Sequence, residues 1–149
     1  VMNLLSEYTP EVEIYSIDEA FLKFNGFEYH NLQTIAEQIK IRVTKGTGIP
    51  ISIGFAPTKA LAKVANKIAK KFPDKTNGIY IIDDEVKRIK AIKWTKIEDV
   101  WGIGRRHAKR LQSRNIFNAF QFTQLHDDFV RKQMSVVGLR LKHELEGKP

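Results

Sequence analysis

The alternation of apolar and polar positions changes character part-way along this chain. Val12-Glu13-Ile14-Tyr15-Ser16-Ile17 and Ala20-Phe21-Leu22-Lys23-Phe24 read as two strands. The short gap between them predicts a β-hairpin. Leu32, Ile35, Ala36, Ile39 and Val43 recur at helical spacing, on a helix that Asn31 can cap and that Gly46 and Gly48 end. Ile49 to Phe55 is a further β-rich run, and Thr58 can cap a helix reaching about Lys71. Residues 72–78 read as a loop, and Ile79-Tyr80-Ile81-Ile82 as a last strand. The apolar side chains of these elements, from Val12 and Ile14 through Leu61 and Ile68 to Ile79 and Ile81, are expected to share one core.

After Asp83 no strand-like run follows. The remainder reads as short helices joined by glycine-containing turns, with the domain boundary near 83–93. The expected fold class is therefore α+β: a mainly antiparallel sheet with helices over residues 1–85, then a small all-α unit over 86–149.

Composition narrows the function. The 149 residues suffice for one or two small domains with real cores. The absence of cysteine rules out disulfides and thiolate metal sites and fits a cytoplasmic protein. No apolar stretch approaches the ~20 residues of a membrane span, so no membrane partner is expected. The opening Val1-Met2 suggests a segment cut from a longer protein. The formal charge is +8, and it is patterned. Residues 1–35 are net acidic, whereas lysine and arginine gather in 59–71, 87–96 and 105–114. Such patterning suits a surface that meets a polyanion on one side.

Three stretches could carry chemistry. In Ser16-Ile17-Asp18-Glu19-Ala20-Phe21, neighbouring strand residues point to opposite faces, so Asp18 and Glu19 reach one ion together only where the chain turns. Carboxylates without His or Cys suit Mg²⁺ or Mn²⁺; the alternative is a plain solvated turn. On the helix after Thr58, Lys59, Lys63, Lys67 and Lys70 form one stripe opposite Leu61, Ala65, Ile68 and Ala69. That stripe could meet a triphosphate or a nucleic-acid backbone, or be a solvated lysine face. In Ile97-Glu98-Asp99-Val100-Trp101-Gly102-Ile103-Gly104-Arg105-Arg106, a short helix, a Gly-apolar-Gly turn and a basic helix follow one another. This is the helix-hairpin-helix arrangement, whose glycines and helix N-terminal N–H groups suit a phosphate. Its alternative is a helix–helix turn with a glycine cap.

In this order and spacing the three stretches resemble the Y-family (translesion) DNA polymerases, most nearly the UmuC-type subunit of bacterial polymerase V. Ser16 to Phe21 is similar to that family's second catalytic motif. Residues 51–66 and Asn77-Gly78-Ile79-Tyr80 look like its next palm segments, and Val100 to Gly104 like its thumb hairpin. The resemblance implies a palm fragment over 1–85 and a thumb over 86–149. It implies that Asp18 and Glu19 are catalytic metal ligands in a two-metal Mg²⁺ site, and that Lys70 contacts the incoming deoxynucleoside triphosphate. Gly102, Gly104, Arg105 and Arg106 would meet DNA. It further implies damage bypass on a primer–template in the SOS response, with an accessory polymerase V subunit and a sliding clamp as partners. The family's earlier metal-binding aspartate, aromatic steric gate, fingers and little finger find no counterpart in these residues, so the fragment alone is expected to be inactive. The rival reading is a non-catalytic helix-hairpin-helix DNA-binding module.

Overall fold

The computed structural model describes residues 12–16, 19–22, 29–48 and 51–148, with backbone alone for 12–16, 19–22 and 29–32. Strands β1 (Val12–Ser16) and β2 (Glu19–Leu22) pair antiparallel. Their register sets Val12 opposite Leu22 and Ser16 opposite Glu19, with a bulge between Ile14 and Ser16. Helix α1 (Tyr29–Thr47) follows. It starts before Asn31, so Asn31 is not its cap as the sequence suggested. Gly46 stays helical; the stop is Gly48, at φ +73°, whose N–H donates to the Thr44 carbonyl at 2.7 Å. Only the second glycine takes the left-handed conformation that lets a chain leave a helix.

Strand β3 (Ile53–Phe55), helix α2 (Lys59–Lys71), helix α3 (Pro73–Thr76) and strand β4 (Ile79–Ile81) form one unit. Here the pairing departs from the mainly antiparallel expectation. β3 and β4 run parallel, Ile53 against Ile79 and Phe55 against Ile81. The reason is the connection: a two-residue turn returns a strand antiparallel, whereas a helix crossing back over the sheet brings the next strand in parallel. Residues 72–78 are not all loop either. Pro73, at the first position of α3, is pre-set for helix, and Asn77 closes it in the left-handed region at φ 59°.

Five helical segments complete the chain: α4 (Glu85–Trp94), a 3₁₀ turn (Ile97–Asp99), α5 (Arg105–Ser113), α6 (Ala119–Thr123) and α7 (Asp127–Leu145). Among the described residues, side-chain caps open three helices, each at its own residue. Thr58, Asp84 and Asn118 accept from the backbone N–H groups of Leu61, Lys87 and Gln121.

The apolar residues do not share one core. Leu61, Val64 and Ala65 of α2 pack with Ile92, Ile97, Val100, Phe122, Val130 and Leu145 of the helical part. Ala36, Ile79 and Ile81 form a separate cluster with Ile53 and Phe55 packed against it. Helix α2 thus turns its buried face toward the later helices. Val12, Ile14, Leu22 and Phe24 were expected in the core, but their side chains lie outside the described residues.

The last helix is folded on itself. Asp127 and Lys142 would stand about 22 Å apart along a straight helix, at 1.5 Å per residue. Instead Lys142 Nζ donates to Asp127 Oδ1 at 2.8 Å. The break is at Ser135, whose φ 66° and ψ −170° belong to a region that glycine occupies and other residues rarely do.

A candidate nucleic-acid interface

The Gly-Ile-Gly turn is built by its buried neighbours. Ile97, Val100 and Ile103 are all buried, so the turn hangs from the helical core by its apolar positions. The Ile103 N–H donates to the Val100 carbonyl at 3.0 Å, which tightens the bend. Gly102 takes φ +96°, a conformation that residues with a Cβ rarely adopt, although a Cβ there would meet Leu141 Cδ2 only in ordinary contact at 3.4 Å. Glycine at 102 is therefore demanded by the fold itself. Gly104 differs. Its backbone is extended at φ −76° and ψ 169°, and a Cβ would meet nothing within 4 Å. No internal packing explains glycine at 104, and the open space before it is where an external chain can approach closely.

Gly104 is also the N-cap of α5, with no side-chain cap. The first helical bond is from the Ala108 N–H to the Gly104 carbonyl at 2.9 Å. The N–H groups of Arg105, Arg106 and His107 consequently have no acceptor within the helix. With the helix dipole they make a positive end, and the exposed side chains of Arg105 and Arg106 add charge there. Gly102, Gly104, Arg105 and Arg106 thus gather in a single turn.

The lysine stripe of α2 is less free than its sequence implied. Lys67 Nζ sits 3.2 Å from Asp99 Oδ2, in the 3₁₀ turn before the hairpin. No acidic residue interrupts 59–71 along the chain, yet folding supplies one from 32 positions further on. The pair joins the cationic face of α2 to the hairpin. Lys59 and Lys63 also have partners. Lys70, the proposed triphosphate contact, is exposed and makes no ion pair among the described residues.

Glu19 is the first residue of β2, paired with Ser16 at the closed end of the hairpin. Its side chain, and the whole of Asp18, lie outside the described residues. The donor chemistry of two carboxylates fits a hard divalent cation that keeps waters and substrate oxygens as further ligands. Elsewhere, Asp127, His143 and Glu146 converge, but their shared cation is an ammonium. Lys142 Nζ, in a largely buried side chain, donates to Asp127 at 2.8 Å and to Glu146 Oε1 at 3.1 Å.

That clamp has a pH signature. The hydrogen bond from Lys142, then that from His143, holds the Asp127 carboxyl below the usual range. Burial works against the charged Lys142, but its bonds to Asp127 and Glu146 outweigh it and raise its pKa. A carboxylate depressed on folding stabilises above its unfolded pKa, near 4, and loses that contribution as pH falls through its folded value. Lowering the pH from about 6 to about 3 should therefore cost the parent chain more thermal stability than Asp127→Asn, as read by melting temperatures. Equal losses would mean that the clamp contributes nothing measurable.

Comparison with known proteins bears on both halves of this picture. The impB/mucB/samB family profile matches residues 1–67. Protein UmuC of Salmonella typhimurium is 37% identical over 150 residues, covering 100% of this chain and 36% of that protein. The chain belongs to the impB/mucB/samB family, within the Y-family polymerases. DNA polymerase IV of Saccharolobus solfataricus is 38% identical over 119 residues, which is 78% of this chain and 32% of that protein. Among solved structures, the insertion ternary complex of Dbh DNA polymerase superposes with a TM-score of 0.77 at 26% identity, covering 99% of this chain and 42% of that one. A DinB family error prone DNA polymerase from Sulfolobus solfataricus gives a TM-score of 0.75 at 27% identity, covering 99% of this chain and 45% of that one. The mixed helix-rich fold is thus that of this polymerase family. The chain spans about a third of the length of the curated relatives it matches. Among the described residues, no helix is long and apolar enough to cross a membrane.

Proposed function

We propose that this chain supplies part of the palm, over residues 1–85, and the thumb, over 86–149, of an error-prone translesion DNA polymerase. The reaction is metal-dependent transfer of a nucleotide from a deoxynucleoside triphosphate to a primer end. The observation that supports it best is the hairpin. Gly104 opens onto free space at the positive end of α5, on a fold shared with the Dbh complex.

In this reading the α5 end holds a DNA phosphate through backbone N–H groups, and Arg105 and Arg106 hold the charge without reading sequence. Asp18 and Glu19 are the carboxylates that hold Mg²⁺, which when bound stabilises charge on the attacking and leaving oxygens. Lys70 binds and orients the triphosphate. Damage bypass in the SOS response, a cytoplasmic location, an accessory polymerase V subunit and a sliding clamp belong to the same proposal, by family membership. So does the inactivity of the segment alone.

The test is template-directed extension of a labelled primer by a whole protein that contains this chain, with and without Mg²⁺, on intact and damaged templates. Failure to extend either template, with DNA binding retained, would leave only the DNA-binding module.

The hairpin carries its own prediction. Gly104→Val should stay folded, because its Cβ meets nothing, yet bind every DNA sequence more weakly. Arg105→Ala or Arg106→Ala should instead flatten the salt dependence by up to about one unit of slope if the side chain meets a phosphate. Gly102 is the poor choice for this test, since its positive φ confounds binding with stability. Titration of labelled duplex at several salt concentrations reads both effects. A folded Gly104→Val chain that binds like the parent makes the hairpin an ordinary helix–helix turn.

A further inference from the structure

Beside the hairpin, a cleft of about 240 Å³ opens between α5 and α7. His107, Arg110 and Arg114 line one wall; Phe129, Gln133 and Met134 line the other. The three basic residues follow one another at helical spacing and so share a face. None of the lining residues is acidic, and among the described residues Arg110 and Arg114 form no ion pair. The Arg114 guanidinium carbon lies 4.9 Å from the centre of the Phe129 ring. That cation–π contact restrains a long side chain whose guanidinium is itself a planar cation.

These features select a ligand. The volume falls below the roughly 300–1,000 Å³ of pockets for drug-sized molecules, and suits one planar group. The uncompensated cations demand an anion. A nucleotide is an anion that carries a flat ring, and arginine planes and aromatic rings are what unpaired bases stack on. A duplex keeps its bases stacked inside, so the cleft distinguishes a single strand. His107 belongs both to the first turn of α5 and to the cleft, so the two anion-seeking surfaces are continuous.

We propose that this cleft binds one unpaired nucleotide of single-stranded DNA, the base stacked on Arg114 and the phosphate held by Arg110. The site adjoins the hairpin but uses different side chains, Arg110, Arg114 and Phe129, and does not depend on polymerase activity.

The experiment uses this chain, a short labelled oligothymidylate and a blunt duplex. Arg114→Lys keeps the charge and removes the plane; Phe129→Leu removes the ring that supports it. Each variant's fold is checked by circular dichroism. Arg114→Lys should weaken single-strand binding about five- to tenfold, leave its salt dependence unchanged, and leave duplex binding within about twofold. Phe129→Leu should do the same. Parent-like single-strand binding by folded Arg114→Lys overturns the proposal. So does an equal loss on single strand and duplex, which would make Arg114 part of a diffuse basic surface. A polyglutamate peptide whose binding depends on Arg114, while single-strand binding does not, would assign the cleft to an acidic protein instead. The Gly104→Val titration on duplex reads the hairpin separately, so either idea can fail alone.

Discussion

Replacing Gly54 by alanine should cost about 3 kcal/mol or more of folding stability and lower the melting temperature by roughly 10 °C. Gly54 is the middle residue of β3, paired with Tyr80 of β4, and lies under α2. A Cβ there would sit 2.2 Å from the Asn66 nitrogen and 2.7 Å from both the Ala62 oxygen and the Ala65 carbonyl carbon. All three are backbone atoms of one helix, so no rotamer change relieves the clash. The helix must lift off the sheet, and it is also committed to the helical core through Leu61 and Val64. The Ser52 hydroxyl, which donates to Asn66 Oδ1 at 2.9 Å, loses its geometry as well. Gly104→Ser is the matched control. The site is open, and serine is a good N-cap, so its stability should stay within about 0.5 kcal/mol of the parent. Thermal unfolding of the two variants side by side measures the difference. A Gly54→Ala chain as stable as the parent would mean that the close approach of strand and helix is not held in solution.

Asp18→Asn, introduced into a whole protein containing this chain, should slow nucleotide incorporation by about 10³-fold, on the order of 4 kcal/mol in the barrier. Asparagine keeps the size and the turn preference of aspartate but not its charge. The change therefore removes the proposed anionic ligand while keeping a residue type that turns accept. DNA affinity should be unchanged, because the proposed DNA contacts lie at the hairpin of residues 102–106. Lys70→Ala gives a contrasting profile: a higher KM for the nucleotide, with DNA binding again retained. Single-turnover incorporation on a primer–template, at varied Mg²⁺, separates these outcomes. If Asp18→Asn incorporates at the parent rate, Asp18 is an ordinary hairpin residue and the catalytic carboxylates must be sought elsewhere.

Much of the candidate site was legible beforehand because it is local. The Gly-apolar-Gly turn, the basic residues after it and the cap at Thr58 are relations among residues a few positions apart, and such relations survive in the chain itself. The difference between Gly102 and Gly104 was not legible. Both read as flexible points, yet one is required by a positive φ, and the other by nothing internal. The Arg114–Phe129 plate escaped notice for a similar reason. The two residues stand 15 positions apart, one at the C-cap of α5 and the other on α7, and neither carries a motif.

By itself, then, the order of residues determined the hairpin, the helix after Thr58, the all-helical second half and the family, since periodicity, capping and motif spacing are short-range properties. The tertiary structure decided how those pieces face one another. It made β3 and β4 parallel, gave the apolar face of α2 to the later helices, and answered the uninterrupted lysine stripe with Asp99. It also folded α7 back at Ser135 so that Lys142 could reach Asp127. Each of these is a contact between segments distant in the chain. Such a contact is chosen by which apolar surfaces can be buried together and which charges must then be met, and no local pattern records that choice.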